Sequence, residues 1–216
     1  MRFLDWLAIH GPSYLDGLAQ TALIAVWASL GAIIWGTVLM LIRLTGGRGG
    51  AAAVDTYVQL LRNIPVLLPI YLIYFGFPLF GLYWPAVVCG GLALILQNGA
   101  YVSEIFRGSY KAIDRVQFDA ARSLGLSPWT TFRKVTFPQL LVYSIPALGN
   151  QVVLLLKDTS LLSAIAVTEL TMQAKVLTER TAAAYQAFLV AAVLYLLLVS
   201  LSEVAFRTAH RAVRWR

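Results

Sequence analysis

An all-α membrane protein of about five transmembrane helices is the fold class that this sequence predicts, and three observations predict it. Of the 216 residues, 59% are hydrophobic and only 12% charged, whereas a soluble domain is nearer a quarter charged. Mean hydropathy is +0.74. Five apolar windows, residues 18–42, 54–77, 84–106, 139–156 and 182–206, approach the ~20 residues a helix needs to cross a bilayer core. This length is expected to hold a single transmembrane domain, 1–216, and no appended globular enzyme.

The first residues, MRFLDWLAIHGPSY, carry an acid and lack a small-residue cleavage site, so no cleaved signal peptide is expected. In the first window, Ala28, Gly31, Ala32 and Gly36 make a small-residue face suited to close helix contact. They also fit the plain abundance of Gly and Ala in membrane helices, and both readings stand. GGRGG at 46–50 lacks the Lys-Ser/Thr of a phosphate loop and reads as a flexible turn. Tyr83 and Trp84 suit an outer membrane interface and Trp215 an inner one. The fourth window is the shortest and has room to continue past Lys157. Residues 159–168 are apolar but too short to span, and are expected to pack or re-enter on the far side.

Orientation follows from the positive charges. Arg43, Arg48, Arg107, Lys111, Arg115, Arg122, Arg133, Lys134, Arg207, Arg211, Arg214 and Arg216 flank one side, twelve of the 17 Lys and Arg. The other side holds Arg2, Lys157, Lys175 and Arg180, with an uncharged GFPLFGLYW loop. The positive-inside rule therefore predicts a cytoplasmic C-terminus, an N-terminus outside, and a cytoplasmic loop at about 108–138. The net charge of +7 is accounted for by this topology rather than by nucleic acid. Cys89 is the one cysteine, and His10 and His210 lie at opposite ends. No internal disulfide is possible and no metal site is expected.

The cytoplasmic loop is built like two short helices. Ile113, Val116, Ala120 and Leu124 recur at helical spacing as one apolar stripe, with Asp114, Arg115, Asp119 and Arg122 on other faces. Gly125 stands where a left-handed C-cap is wanted. Ser127-Pro128 follows as an N-cap with Pro at the first helical position, and Pro138 marks the start of the fourth span. Such a helix–Gly–helix elbow suits docking onto a soluble partner. A lipid-surface helix and packing on the spans remain alternatives, although two acids on the polar face argue against the former.

DAARSLG, with Asp119-Ala120-Ala121 and Gly125, resembles the EAA loop of ABC importer permeases. Three further stretches resemble signatures of the polar amino acid permeases (the histidine, glutamine, arginine and opine type): Arg62-Asn63-Ile64-Pro65-Val66-Leu67-Leu68, Tyr101 to Gly108, and Leu156-Lys157-Asp158-Thr159-Ser160-Leu161. The resemblance covers roughly residues 17 to 206. It departs at Asp119 for Glu, at Val116 for a glycine, and at Asn63-Ile64 for Gly-Thr.

The resemblance implies a permease subunit, not an enzyme, in a binding-protein-dependent importer of the bacterial inner membrane. ATP and Mg would be bound by a separate ATPase dimer docked at Asp119, Ala120, Ala121, Leu124 and Gly125, and no cofactor by this chain. A second permease, identical or paralogous, and an extracytoplasmic binding protein would complete the assembly. The absence of a phosphate loop agrees with an external motor.

Polar groups inside spans are candidates for the pathway because burying them in lipid costs a few kcal/mol. Asn98 lies about 21 Å along its helix from Trp84, and Gln151 about 18 Å along the opposite-running fourth span from Gln139, so the two share a depth. Gln97, Tyr101 and Glu104 form one helical face, and Arg62 is placed to meet Glu104. Lys157, Asp158 and Thr159 sit at the outer mouth, where Lys157-Asp158 reads equally as a buried pair or a substrate contact. For Asn98, Gln151 and the Arg62–Glu104 pair, helix-to-helix bonding is the competing role. A self-sufficient secondary carrier is the alternative function, and a membrane scaffold a third.

Overall fold

Among the described residues, 3–214 of a computed structural model, nine α-helices form: α1 (Phe3–Thr45), α2 (Gly47–Asn63), α3 (Leu67–Gly76), α4 (Ala86–Lys111), α5 (Arg115–Ser123), α6 (Pro128–Thr131), α7 (Phe137–Asp158), α8 (Leu170–Thr181) and α9 (Ala184–Arg214). Single 3-10 turns cover Phe77–Phe80 and Thr159–Ile165, and a π-helical turn covers Phe132–Thr136. Arg2, Trp215 and Arg216, used above for orientation and the inner interface, lie outside the described residues.

Four helical stretches are long and apolar enough to cross a membrane, and a bent pair, α2 with α3 and its 3-10 turn, makes a fifth. The expected continuous span over 54–77 is thus corrected to a broken one, turning by 104° between Asn63 and Leu67. Pro65 explains the break. It has no N–H to donate to Leu61, and it holds Ile64 extended (φ −107°, ψ 144°). GGRGG is not a loose turn either: only Gly46 and Gly47 form the corner, and the rest is the first turn of α2.

α1 runs 43 residues, about 64 Å at 1.5 Å per residue and roughly twice a bilayer core. Its first turns therefore extend beyond the span, and they are held by tertiary contacts. Trp6 and Tyr14 are buried against α8 and α9, and the Tyr14 hydroxyl donates to the Ala187 carbonyl at 2.7 Å. The fourth span continues from α7 through the 3-10 turn to Ile165. Leu162 and Ile165 of that turn enter the main core, so residues 159–168 pack, as one of the two expectations had it. α8 was not anticipated. Its N-cap is Glu169, fully buried, whose carboxylate accepts from the Thr171 and Met172 amides at 2.9 and 2.8 Å. The Tyr195 hydroxyl of α9 donates to the same carboxylate at 2.6 Å.

The core is centred on α1 against α4. Along α1, Tyr14, Gly17, Thr21, Ile24, Ala28, Ala32, Gly36 and Leu39 are buried, while Leu15, Leu23, Val26, Leu30, Ile34 and Leu41 face outward. Both faces are apolar, and the buried one is distinguished by small residues. A Cβ on Gly31 or Gly36 would meet Ile95 or Val102 at 2.5 Å. The complement is on α4, where Trp27 and Trp35 of α1 lie over Gly91 and Gly99. Close helix contact, one of the two readings open for the α1 small-residue face, is the one found.

Gly91 tests this seam most sharply, because an added Cβ would lie 1.8 Å from Trp27. Gly91→Ala is expected to lower stability by about 1–3 kcal/mol through overpacking, read as a lower Tm in detergent. Trp27→Leu in the same chain should recover part of the loss. Gly76→Ala, with nothing within 4 Å, is the control that should change little.

Candidate functional site

The break between α2 and α3 places backbone carbonyls inside the span without helical partners, which in a membrane costs several kcal/mol each unless protein groups satisfy them. One face of α4 does so. Gln97 Nε2 donates to the carbonyls of Leu61 and Ile64, both at 2.9 Å. One turn on, the Tyr101 hydroxyl donates to the Arg62 carbonyl at 3.3 Å. Tyr57 of α2 reaches back, donating to the Leu96 carbonyl at 2.8 Å, and receives the Trp35 indole N–H at 2.8 Å. The expected Gln97–Tyr101–Glu104 face is real, and its first two members hold the broken span.

Glu104, the third member, centres a network of three cations and two anions. Arg107 Nε lies 3.0 Å from both carboxylate oxygens, and Arg43 Nη1 lies 2.9 Å from Oε1. Arg43 also pairs with Asp55 on α2. Arg62, the expected partner, stands farther off at 3.8 Å, with its guanidinium 5.1 Å above the Tyr101 ring and its side chain 43% exposed. The network ties the ends of α1, α2 and α4 together and leaves Arg62 as its loosest member. Arg43 and Asp55 were missed by sequence reasoning. An acid inside an apolar window and a base just outside the preceding one were the available signals.

Asn98 and Gln151 do share a depth, and they meet: Gln151 Nε2 donates to Asn98 Oδ1 at 2.7 Å, and Asn98 Nδ2 donates to the Leu94 carbonyl at 2.9 Å. The void beside them, also lined by Ser29, is about 10 Å³, room for one water and far below the hundreds of Å³ a small solute fills. In this conformation the pair bonds α4 to α7. At the far end of α7, Lys157 is exposed and Asp158 half-buried. No salt bridge joins them among the described residues, so the buried-pair reading of Lys157-Asp158 is not what forms. Thr159 is buried with its hydroxyl on the Leu156 carbonyl at 2.7 Å.

The elbow forms as spaced in sequence. Asp114 caps α5 by accepting from the Val116 amide at 3.0 Å. Gly125 is left-handed (φ +67°). Its amide bonds the Arg122 carbonyl, and the Leu126 amide bonds that of Ala121, the paired bonds of a Schellman cap. Ser127 then caps α6 by accepting from the Thr130 amide at 3.2 Å. The π-helical turn follows because Pro138 cannot donate to Lys134, so the ladder opens there. Asp119 is exposed and 3.5 Å from Arg122, and Ala121 is buried. Val116, Ala120 and Leu124 lie on an open face, with Val116 65% and Leu124 76% exposed. Of the expected stripe, only Ile113 packs inward.

Residues 32–215 match the family described as "Binding-protein-dependent transport system inner membrane component". The nopaline transport system permease protein NocM of Agrobacterium fabrum is 34% identical over 196 residues, covering 86% of this chain and 81% of that protein. A probable amino-acid ABC transporter permease protein, y4tG, of Sinorhizobium fredii is 35% identical over 170 residues, 79% of this chain and 74% of its own length. Among solved structures, an amino acid ABC transporter crystallised with histidines superposes with a TM-score of 0.91 at 28% identity, covering 98% of this chain and 99% of that one.

The bond between α4 and α7 is open to a direct measurement. Asn98→Leu and Gln151→Leu, made singly and together in a double-mutant cycle on stability in detergent, are expected to show a coupling of about 0.6–1.7 kcal/mol, the range for hydrogen bonds between membrane helices. Strictly additive effects would contradict the bond.

Proposed function

The chain belongs to the family of binding-protein-dependent transport system inner membrane components, the permease subunits of ABC importers, and on that basis we propose that it carries polar amino acids or opine-like compounds across the bacterial inner membrane as one transmembrane domain, 1–216. The observation that carries the coupling half of this reading is the elbow. A Schellman cap at Gly125 and an immediate restart at Ser127 make a stiff corner whose apolar residues Val116, Ala120 and Leu124 are open to a partner. A mere connecting loop needs neither the caps nor the open face.

The ATPase dimer docks on this elbow through Asp119, Ala120, Leu124 and the turn at Gly125, with buried Ala121 holding α5 against the rest of the permease. ATP and Mg are bound by that partner. A second permease subunit, identical or paralogous, lines the other half of the pathway, and an extracytoplasmic binding protein delivers the solute. The elbow and the C-terminus are cytoplasmic and the N-terminus is outside. Substrate choice is supported by the named relatives, a nopaline and an amino-acid permease. Within the span, Arg62 is the most accessible cation of the Glu104 network, and at the other end Lys157 is exposed with Asp158 half-buried beside it. These three are the pathway groups ready to meet a zwitterion or anion. Asn98, Gln151, Glu104 and Thr159 enter the pathway only if the helices they hold separate during the transport cycle.

Two measurements test the reading. Single cysteines at Gly81 and Ser127, after Cys89→Ala, should label from opposite sides of the membrane, with Ser127 reached only from the cytoplasm; labelling from one side would overturn the orientation. Gly125→Val forces a β-branched residue into the left-handed region at about 1–2 kcal/mol. It is expected to leave the chain in the membrane while lowering ATPase co-purification and amino-acid-stimulated ATP hydrolysis several-fold. Uptake driven by an ion gradient without ATP would instead favour a secondary carrier.

A further inference from the structure

We propose that the permease holds an anionic phospholipid in a notch behind the elbow, on the side of α5 away from the ATPase face; the proposal rests on the orientation above, which puts this notch at the cytoplasmic leaflet. Two adjoining cavities make the notch. The first, about 650 Å³, is an apolar trough between the ends of α1 and α4 and the start of α7, with Met40, Leu44, Phe106 and Leu140 among its walls. The second, about 510 Å³, is a polar basin that adds Lys111, Arg115 and Asp119. Tyr110, Phe118 and Arg122 line both, so the trough and the basin adjoin at these three side chains.

That arrangement has the chemistry of a lipid and not of a polar solute. An apolar trough of this size accepts an acyl chain, since burial of apolar surface is favourable wherever water is displaced. The basin carries Lys111, Arg115 and Arg122 against the single Asp119, a surplus of two cations that complements a phosphate. Anionic lipids are attracted to such juxtamembrane basic groups at about 1 kcal/mol per Lys or Arg. Arg122 has only a 3.5 Å contact with Asp119 and is 81% exposed, so its guanidinium is available to a headgroup.

The two faces of α5 are distinct and meet at Asp119, which borders both. At about 100° per residue, Arg115, Phe118 and Arg122 fall together on one side of the helix, and Val116, Ala120 and Leu124 on the opposite one. A lipid in the notch would therefore back the elbow while the motor pushes on its front. This gives the anionic lipid content of the membrane a direct effect on coupling.

The test uses the intact transporter purified with its ATPase, equilibrated with phosphatidylglycerol or phosphatidylcholine and weighed by native mass spectrometry. Wild type is expected to retain phosphatidylglycerol preferentially. Arg115→Gln with Arg122→Gln should cut that preference by about fivefold per cation removed while keeping the ATPase bound. Thr37→Phe, which narrows the trough, should displace both lipids. Equal retention of the two lipids by wild type, or a preference untouched by the arginine pair, would overturn the proposal. So would loss of the ATPase along with the lipid, which would give this face to the motor, or disulfide capture of a second copy of the chain through Thr37→Cys, which would give the trough to a neighbouring permease. Failure of the orientation itself reads out separately, in the labelling of Ser127.

Discussion

A span broken at Pro65 requires something to accept its exposed backbone, and the rest of the helical arrangement is organised around that requirement. In a bilayer the last carbonyls of α2 have no water to turn to. Gln97 and Tyr101 supply the missing donors from α4, which fixes the rotation of α4 about its own axis. With α4 so rotated, Glu104 lies farther along the same seam and gathers Arg43 and Arg107. Asn98 is turned about 100° from Gln97 around the helix, where it meets Gln151 of α7. One helix thus serves three neighbours through polar groups spread over about two turns.

Close packing makes those bonds possible. Hydrogen bonds of 2.7–2.9 Å across helices demand that backbones approach closely, and small residues supply the room. Gly91 and Gly99 of α4 receive Trp27 and Trp35 of α1, while Gly31 and Gly36 receive Ile95 and Val102 in return. Trp35 also donates to Tyr57, which joins the packing seam to the polar clamp on α2. The α1–α4 seam and the first half of the broken span, which carries Arg62 near its end, are therefore in direct contact through Trp35 and Tyr57.

The elbow is physically different. Its helices are 9 and 4 residues long, too short to be stable alone, and much of their apolar surface is open. Their shape is set locally, by caps at Asp114, Gly125, Ser127 and Pro128, rather than by a core of their own. These short capped helices are anchored to the rest of the chain at buried Ile113 and Ala121.

How much was legible in advance follows from these physical differences. Local chemistry was readable: the number of spans, the Gly125 cap, the Ser127 restart and the common depth of Asn98 and Gln151 all depend on residues near one another or on rise per residue. The break at Pro65 was readable in principle, since the residue before a proline is driven extended, but an unbroken apolar window over 54–77 concealed it. The buried Glu169 cap is a glutamate where the shorter Ser, Thr, Asp or Asn is usual, so α8 gave no ordinary start signal. By itself, then, the sequence determined an all-α membrane permease with a capped elbow, because hydropathy, caps and motif spacing act within short stretches. Only the tertiary structure decided which apolar face of each helix meets protein rather than lipid, that Arg43 and Arg107 rather than Arg62 hold Glu104, and that Asn98 bonds Gln151. Lipid tails are as apolar as leucine, so nothing in a greasy helix marks its inner face until a neighbouring helix fits against it.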